Sequence, residues 1–358
     1  MKRFILTFCA LLMGASLFAQ ADLQVLAVVK LNNNESITLK KLKTRVEAYQ
    51  KQTGAALSVD DRKKVLDALI QEELVAQAAI KSGMTIPDST IEEYFLKSVS
   101  QQIGRRVTQQ QFEELVQKQE KMTIDEYMKK QAGMSYSEYK NYMKNQLLSQ
   151  NYIVAQSKSE LEKVAPTDEE IRGYYELNKT NFVQPDMMKM FLVIIPKGND
   201  AAAAKAKAEK LYSDLKDKKA STTQILKDSK TENSGYQAGD VFINKNELSA
   251  KQLGISLQDL LALFANSSDY VSPLSERETS YQFYSVIKKY EGKMLTLSDL
   301  VQPETTRTVY DFIKDTVGQQ KKMQFLQMEA QKIAQSLDKS ANVDRKKTGK
   351  ELEKLLAW

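Results

Sequence analysis

The chain has 358 residues, with 52 lysines and arginines against 46 aspartates and glutamates, a net charge of +6, one cysteine and no histidine. Without histidine, and with Cys9 as the lone thiol, Ser-His-Asp and Cys-His catalysis and the usual zinc sites are excluded. Acids and bases interleave along the chain, so the small surplus reads as solvated surface and no nucleic-acid partner is expected.

The first element is an export signal. Lys2 and Arg3 precede an apolar run from Phe4 to Leu17, and Ala19-Gln20-Ala21 forms a small-x-small cleavage site. The run is shorter than the ~20 residues of a spanning helix, so cleavage before Asp22 and an exported, soluble product are expected. Cys9 sits inside this run, which leaves the mature chain without a disulfide. Residues 22–358 exceed one typical core and predict two or three domains.

Residues 25–39 read as two short strands around Asn32-Asn33-Asn34-Glu35. Helices follow. Ser58-x-x-Asp61 caps one through Leu66, Ile70 and Leu74, which Gly83 stops. Pro87 starts another through Ile91 and Phe95, residues 123–131 form a short one, and Ser135-x-x-Glu138 caps a long one through Met143, Leu147 and Val154. After Ala165-Pro166, Thr167-x-x-Glu170 caps a short bridging helix.

From residue 186 the texture changes. The segment DMMKMFLVIIPKG (186–198) reads as a buried strand. Helices at 200–217 and 220–228, a strand at 237–243, a helix at 256–265 and a strand at 281–289 complete a small α+β domain. Residues 305–338 then form one amphipathic helix, with Phe312, Val317, Met323, Leu326 and Ala330 along its stripe. Such a stripe needs a partner, and the N-terminal helices are the available one. Residues 339–349 read as a polar linker, and GKELEKLLAW as a short amphipathic end.

The expected fold is therefore α+β but mostly α: a discontinuous helical domain with an α+β domain inserted in it. The boundaries are 1–21 (signal), 22–166 (N-terminal helical domain), 167–182 (bridge), 183–292 (insert), 303–338 (returning helix) and 339–358 (tail).

No phosphate-binding glycine loop occurs, and nothing implies a cofactor or a metal. Carboxylate pairs such as Glu72-Glu73 and Glu169-Glu170 are expected on solvated helix faces. What remains is adaptable apolar surface. Met122, Met128, Met134, Met143, Met187, Met188, Met190, Met323 and Met328 suit irregular apolar partners if exposed in a groove, and fill core gaps if not.

The motif order resembles the SurA-type periplasmic folding factors and their PrsA-type relatives. The matching segments are VVKLNNNESITLKKL, VLDALIQEELVAQAAIKSGMTIPDSTIEE and MSYSEYKNYMKNQLLSQ, then VAPTDEEIRGYYELNKTNFVQPDMMKMFLVII. AGDVFI (238–243) and residues 267–292 resemble the middle and closing strands of a parvulin-type (PpiC) prolyl isomerase domain, with Ala238 and Phe242 where glycines are usual.

That resemblance implies a catalytic histidine pair near an Asp or Cys. Phe191 stands at the first histidine position, and Ser285, or Tyr284 one residue away, at the second. The Asp/Cys position falls near Thr231, with Asp228 the nearest acid. The implied catalytic set is thus degenerate, and a phenyl ring with a hydroxyl cannot reproduce a hydrogen-bonded imidazole pair. The pocket that remains has Met190, Phe191, Leu263, Phe264 and Tyr284 as peptide-binding candidates.

The resemblance further implies an ATP-independent chaperone that holds unfolded envelope or outer-membrane polypeptides near the outer membrane, with a second copy of the chain as a further candidate partner. The alternatives are an active peptidyl-prolyl isomerase with a rearranged site, and a structural envelope protein whose grooves are closed by its own tail.

Overall fold

The computed structural model describes residues 22–358, so the expected signal peptide at 1–21 lies outside the described residues. The chain is α+β and mostly helical, and it divides into two compact units. One runs to Ala165 and resumes at Gln320–Trp358; the other is Pro166–Gln319.

The first unit opens with the hairpin β1 (Val25–Val29) and β2 (Glu35–Thr38), followed by α1 (Leu39–Thr53) and α2 (Val59–Lys81). Next come α3 (Asp88–Ile103), α4 (Gln109–Glu120), α5 (Ile124–Ala132) and α6 (Tyr136–Leu161). Caps define these helices as the sequence predicts: the Ser58 hydroxyl oxygen accepts from Asp61 N–H, and Ser135 with Glu138 closes a reciprocal capping box. Gly83 takes the left-handed conformation after α2, with φ +87°.

Helix α4 is an element the apolar pattern does not announce. Among its residues only Phe112 and Val116 are buried, yet Thr108 and Gln111 form a full capping box. Phe112 and Phe95 then meet edge to face, their centroids 5.5 Å apart.

The linker expected at 339–349 contains a strand. β9 of the chain, Val343–Arg345, adds to β1 antiparallel and makes the sheet order β2-β1-β9. Val343 alternates inward and is buried with Leu26, Ile37, Leu42, Ile70 and Leu356. Three residues are too few for a period-2 signal, and pairing with an existing hairpin decides the conformation. A final helix, Gly349–Leu355, brings Leu356 to full burial in this core, and the Arg62 guanidinium lies 4.5 Å from the Trp358 ring centroid.

The second unit begins with a helix at Asp168–Asn178, here α7, capped by Thr167 and Glu170. The short pair β3 (Val183–Gln184) and β8 (Lys293–Met294) flanks a four-stranded antiparallel sheet. The sheet order is β5 (Gln237–Asn244), β4 (Met187–Pro196), β7 (Ser280–Tyr290) and β6 (Ser275–Glu276). Helices α8 (Ala201–Lys216), α9 (Thr222–Ser229), α10 (Glu247–Leu253) and α11 (Leu257–Ala265) accompany it; α10 was absent from the sequence expectation.

The returning helix α12 spans Val309–Leu337, a few residues shorter than expected. The expectation placed all of it with the N-terminal helices. Instead Val309, Ile313 and Val317 pack against Ile171, Tyr175, Phe182 and Leu295 within the second unit, and only the part from Gln320 onward belongs to the first. An amphipathic stripe records that a face is buried, not against what.

Two stability measurements check these points. Leu356→Ala removes a fully buried side chain and should cost the first unit about 2–5 kcal/mol in denaturant unfolding. Asp299 accepts from Lys293 and from the Thr296 hydroxyl and N–H, which hold its pKa down to about 2. A depressed carboxylate stabilises above its unfolded value of about 3.9, and that contribution fades as pH falls toward 2. Asp299→Asn should therefore lower the unfolding temperature at about pH 7, and the difference should shrink as pH falls through about 2.

Candidate peptide-binding site

Strand β4 is the centre of the second unit's sheet, paired with β5 on one side and β7 on the other. Side chains alternate across a strand, so β4 presents two apolar faces. Phe191, Val193 and Ile195 point into a core with Ala204, Ala208, Leu215 and Ile225 of α8 and α9. Met188 and Met190 point the other way, into a cluster with Val286 and the partly buried Leu263, Phe264, Tyr270 and Tyr284.

The register brings two of the implied catalytic positions together: Phe191 stands directly opposite Ser285. Both are buried, with Phe191 only 1% exposed. Thr231 is not part of this arrangement. It is exposed on the turn after α9, its hydroxyl donating to the Asp228 carbonyl at 2.7 Å.

Of the five peptide-binding candidates, Met190, Leu263, Phe264 and Tyr284 share one cluster, whereas Phe191 lies on the opposite face of the sheet. Tyr284 and Tyr270 stand with ring centroids 6.4 Å apart, and burial pushes the Tyr284 hydroxyl above its ordinary pKa. The Tyr284 N–H donates to Ser272 Oγ at 3.0 Å, which fixes the strand beneath the ring.

A charged group within β4 escaped the sequence reading. Lys189 Nζ lies 2.9 Å from Asp240 and 2.6 Å from Glu304, and these two carboxylates hold it well above the ordinary lysine value. The Tyr290 hydroxyl donates to Glu304 at 2.7 Å; burial and that bond push it up to about 12. A lysine inside an apolar strand was the available signal, since a charge there needs a partner.

Two concavities are formed by described residues of the first unit. One, of about 330 Å³, lies among α1, α2 and α6, with Leu69, Met134 and Tyr142 in its wall. Gly133 (φ +69°) turns the chain there, where a Cβ would fall 2.8 Å from Thr44 Cγ2.

This cavity corrects the expectation that Glu72 and Glu73 sit on a solvated face. Arg45 donates both guanidinium nitrogens to Glu72 at 2.9 and 3.0 Å. Glu73 accepts from the amides of Gln77 and Asn145, and burial raises its pKa. The second concavity, of about 580 Å³, is a groove between α2, α6 and the later part of α12. Val75, Ile153, Val154, Met323, Leu326 and Ala330 line it, and Met323 is 63% exposed.

The core role of residue 191 is open to measurement. Phe191→Ala should cost about 3–5 kcal/mol in denaturant unfolding of the second unit. Met190 is nearly as buried, whereas Tyr284→Ala removes a partly exposed ring and should cost less.

The family model of the PPIC-type PPIASE domain matches residues 166–303, and that of the SurA-like N-terminal domain matches residues 3–102. No curated protein matches the chain. Among solved structures, a SurA-like chaperone of Campylobacter jejuni is 17% identical, covering 90% of this chain and 100% of its own, at a TM-score of 0.31. The foldase protein PrsA of Streptococcus pneumoniae is 16% identical over 90% and 95% of the two chains, at 0.27. PrsA of Bacillus subtilis is 18% identical over 93% and 98%, at 0.25. Scores this low add nothing to the two family matches. By those matches the chain carries a SurA-like N-terminal domain and a PPIC-type PPIase domain.

Proposed function

We propose that the protein is an exported, ATP-independent holdase for unfolded envelope or outer-membrane polypeptides, working in the periplasm after loss of residues 1–21. The observation that carries this reading is the groove of about 580 Å³ between α2, α6 and α12. Aliphatic side chains and Met323 line it together with glutamines such as Gln71, Gln150 and Gln327, and Met328 on the same helix is 53% exposed. A surface of this kind repacks around varied apolar segments, which suits weak binding of many clients. The tail does not line it: Leu356 is buried in the sheet core of the same unit.

The PPIC-type domain contributes little or no isomerase chemistry in this reading. Isomerisation has an uncatalysed barrier of ~18–20 kcal/mol, and a catalyst must favour the twisted amide. Phe191 and Ser285, buried opposite each other, offer no imidazole pair for that purpose. The match to a PPIC-type PPIASE model supports the second reading, an active prolyl isomerase with a rearranged site on the Met190–Tyr284 face.

Two assays separate the readings. Leu326→Glu and Ala330→Glu place carboxylates in the groove. Each should weaken suppression of client aggregation about tenfold, since facing an apolar segment with an unpaired charge costs at least ~1.4 kcal/mol. Unchanged suppression in both variants would remove the groove as the holding surface. In a proline-peptide isomerisation assay the full chain should match the uncatalysed rate, and acceleration that Tyr284→Phe abolishes would establish the second reading.

A further inference from the structure

We propose that the outer edge of β5 takes up an extended polypeptide segment as an added strand, with a basic residue of that segment aligned on Asp240. The proposal rests on the client-binding reading and names a second holding surface, in the PPIC-type unit. β5 is terminal in the sheet order, and its eight residues pair with β4 without a register shift. In an antiparallel pair about half of a strand's N–H and C=O groups point away from the partner. Among the described residues, no backbone group of 237–243 forms a hydrogen bond outside the β4 ladder.

Protected edges carry charged side chains, above all lysine, or proline or a bulge. QAGDVFIN has no lysine, proline or bulge, and its one charge is Asp240. An open, regular edge of this length is a template for strand addition, in which main-chain bonds supply affinity and side chains supply selectivity.

The side chains state what the added strand must offer. Ala238, Asp240 and Phe242 stand opposite Val193, Phe191 and Lys189, and so share one face. Val241 and Ile243 stand opposite Met190 and Met188, within the cluster of Leu263, Phe264 and Tyr284. Asp240 keeps 42% of its side chain exposed and, among the described residues, shares its one ammonium partner, Lys189, with Glu304. Lys288 also acts on Glu304, so the charge that the edge itself presents is the half-exposed Asp240 carboxylate. A basic residue flanked by apolar ones therefore fits, the basic side chain on the Asp240 face and its neighbours on the Val241 face.

A second copy of the chain fits less well. Residues opposite each other in an antiparallel pair share a face, which limits twofold pairing of two β5 edges to centres on a residue. The two registers with the longest overlap centre on Asp240 or on Val241. The first sets Asp240 against Asp240, and the second sets it against Phe242.

The test uses the full chain and a valine/threonine peptide with one central lysine. Two companions carry alternate N-methylated amides or glutamate in place of lysine. Hydrogen–deuterium exchange should show the lysine peptide protecting residues 237–244 and the N-methylated peptide leaving them unprotected. Affinity for the glutamate peptide should be about fivefold lower, and Asp240→Asn should remove that difference. Protection confined to the α2–α6–α12 groove would overturn the edge site and leave client binding standing. No binding anywhere on the chain would overturn both. Equal protection by the N-methylated peptide, or discrimination unchanged in Asp240→Asn, would overturn the strand-addition geometry or its charge selectivity.

Discussion

Strand β4 is buried on both faces, and the second unit is organised by that constraint. A strand paired along both edges and covered on both sides must commit every side chain to packing. Phe191, Val193 and Ile195 meet α8 and α9, while Met188 and Met190 meet α11 and the middle of β7. Lys189 is the one charged exception within the strand, and it is held by two carboxylates from different segments, Asp240 and Glu304. The positions where a parvulin-like domain is expected to carry its histidines are thus absorbed by the packing that makes the sheet. The partly exposed rings of Tyr270 and Tyr284 lie on the other side.

The first unit solves a different problem. Its sheet core is closed by β9 and Leu356, both late in the chain, so the hairpin at the start does not complete a core alone. The helices leave apolar surface uncovered where α2, α6 and α12 approach one another. Uncovered apolar surface weakens a monomer's solubility and is retained where it binds something. Met323 at that groove and the aliphatic side chains opposite it make a surface that adapts to its partner, in contrast to the interdigitated aromatics of Phe95, Phe112 and Tyr136.

Much of the fold is legible in particular residues. The Ser58, Ser135 and Thr167 caps each start a helix at the predicted place, and the apolar run at 186–198 is the central strand. Helix α4 is hidden because its sequence, QQQFEELVQKQE, is mostly polar and only two positions reach the core. Helix α10 is short, and the run of residues that forms it has no period to detect. Glu72 and Glu73 look solvated from helix spacing; Arg45 and Asn145, distant in sequence, determine otherwise. The candidate residues Met190, Leu263, Phe264 and Tyr284 are recoverable from sequence as a set, but their separation from Phe191 is not.

Sequence by itself determined the helix starts capped by Ser58, Ser135 and Thr167, the central strand, and the absence of any imidazole from the chain. Those properties are local, or are matters of composition, and local backbone preferences and residue types carry them. Tertiary structure decided which face of β4 each candidate occupies, how α12 divides its stripe between two cores, that residues 343–345 form a strand, and that β5 is left as an open edge. Each of these depends on pairing between segments far apart in the chain, and strand pairing and helix docking have no signature within the segment that undergoes them.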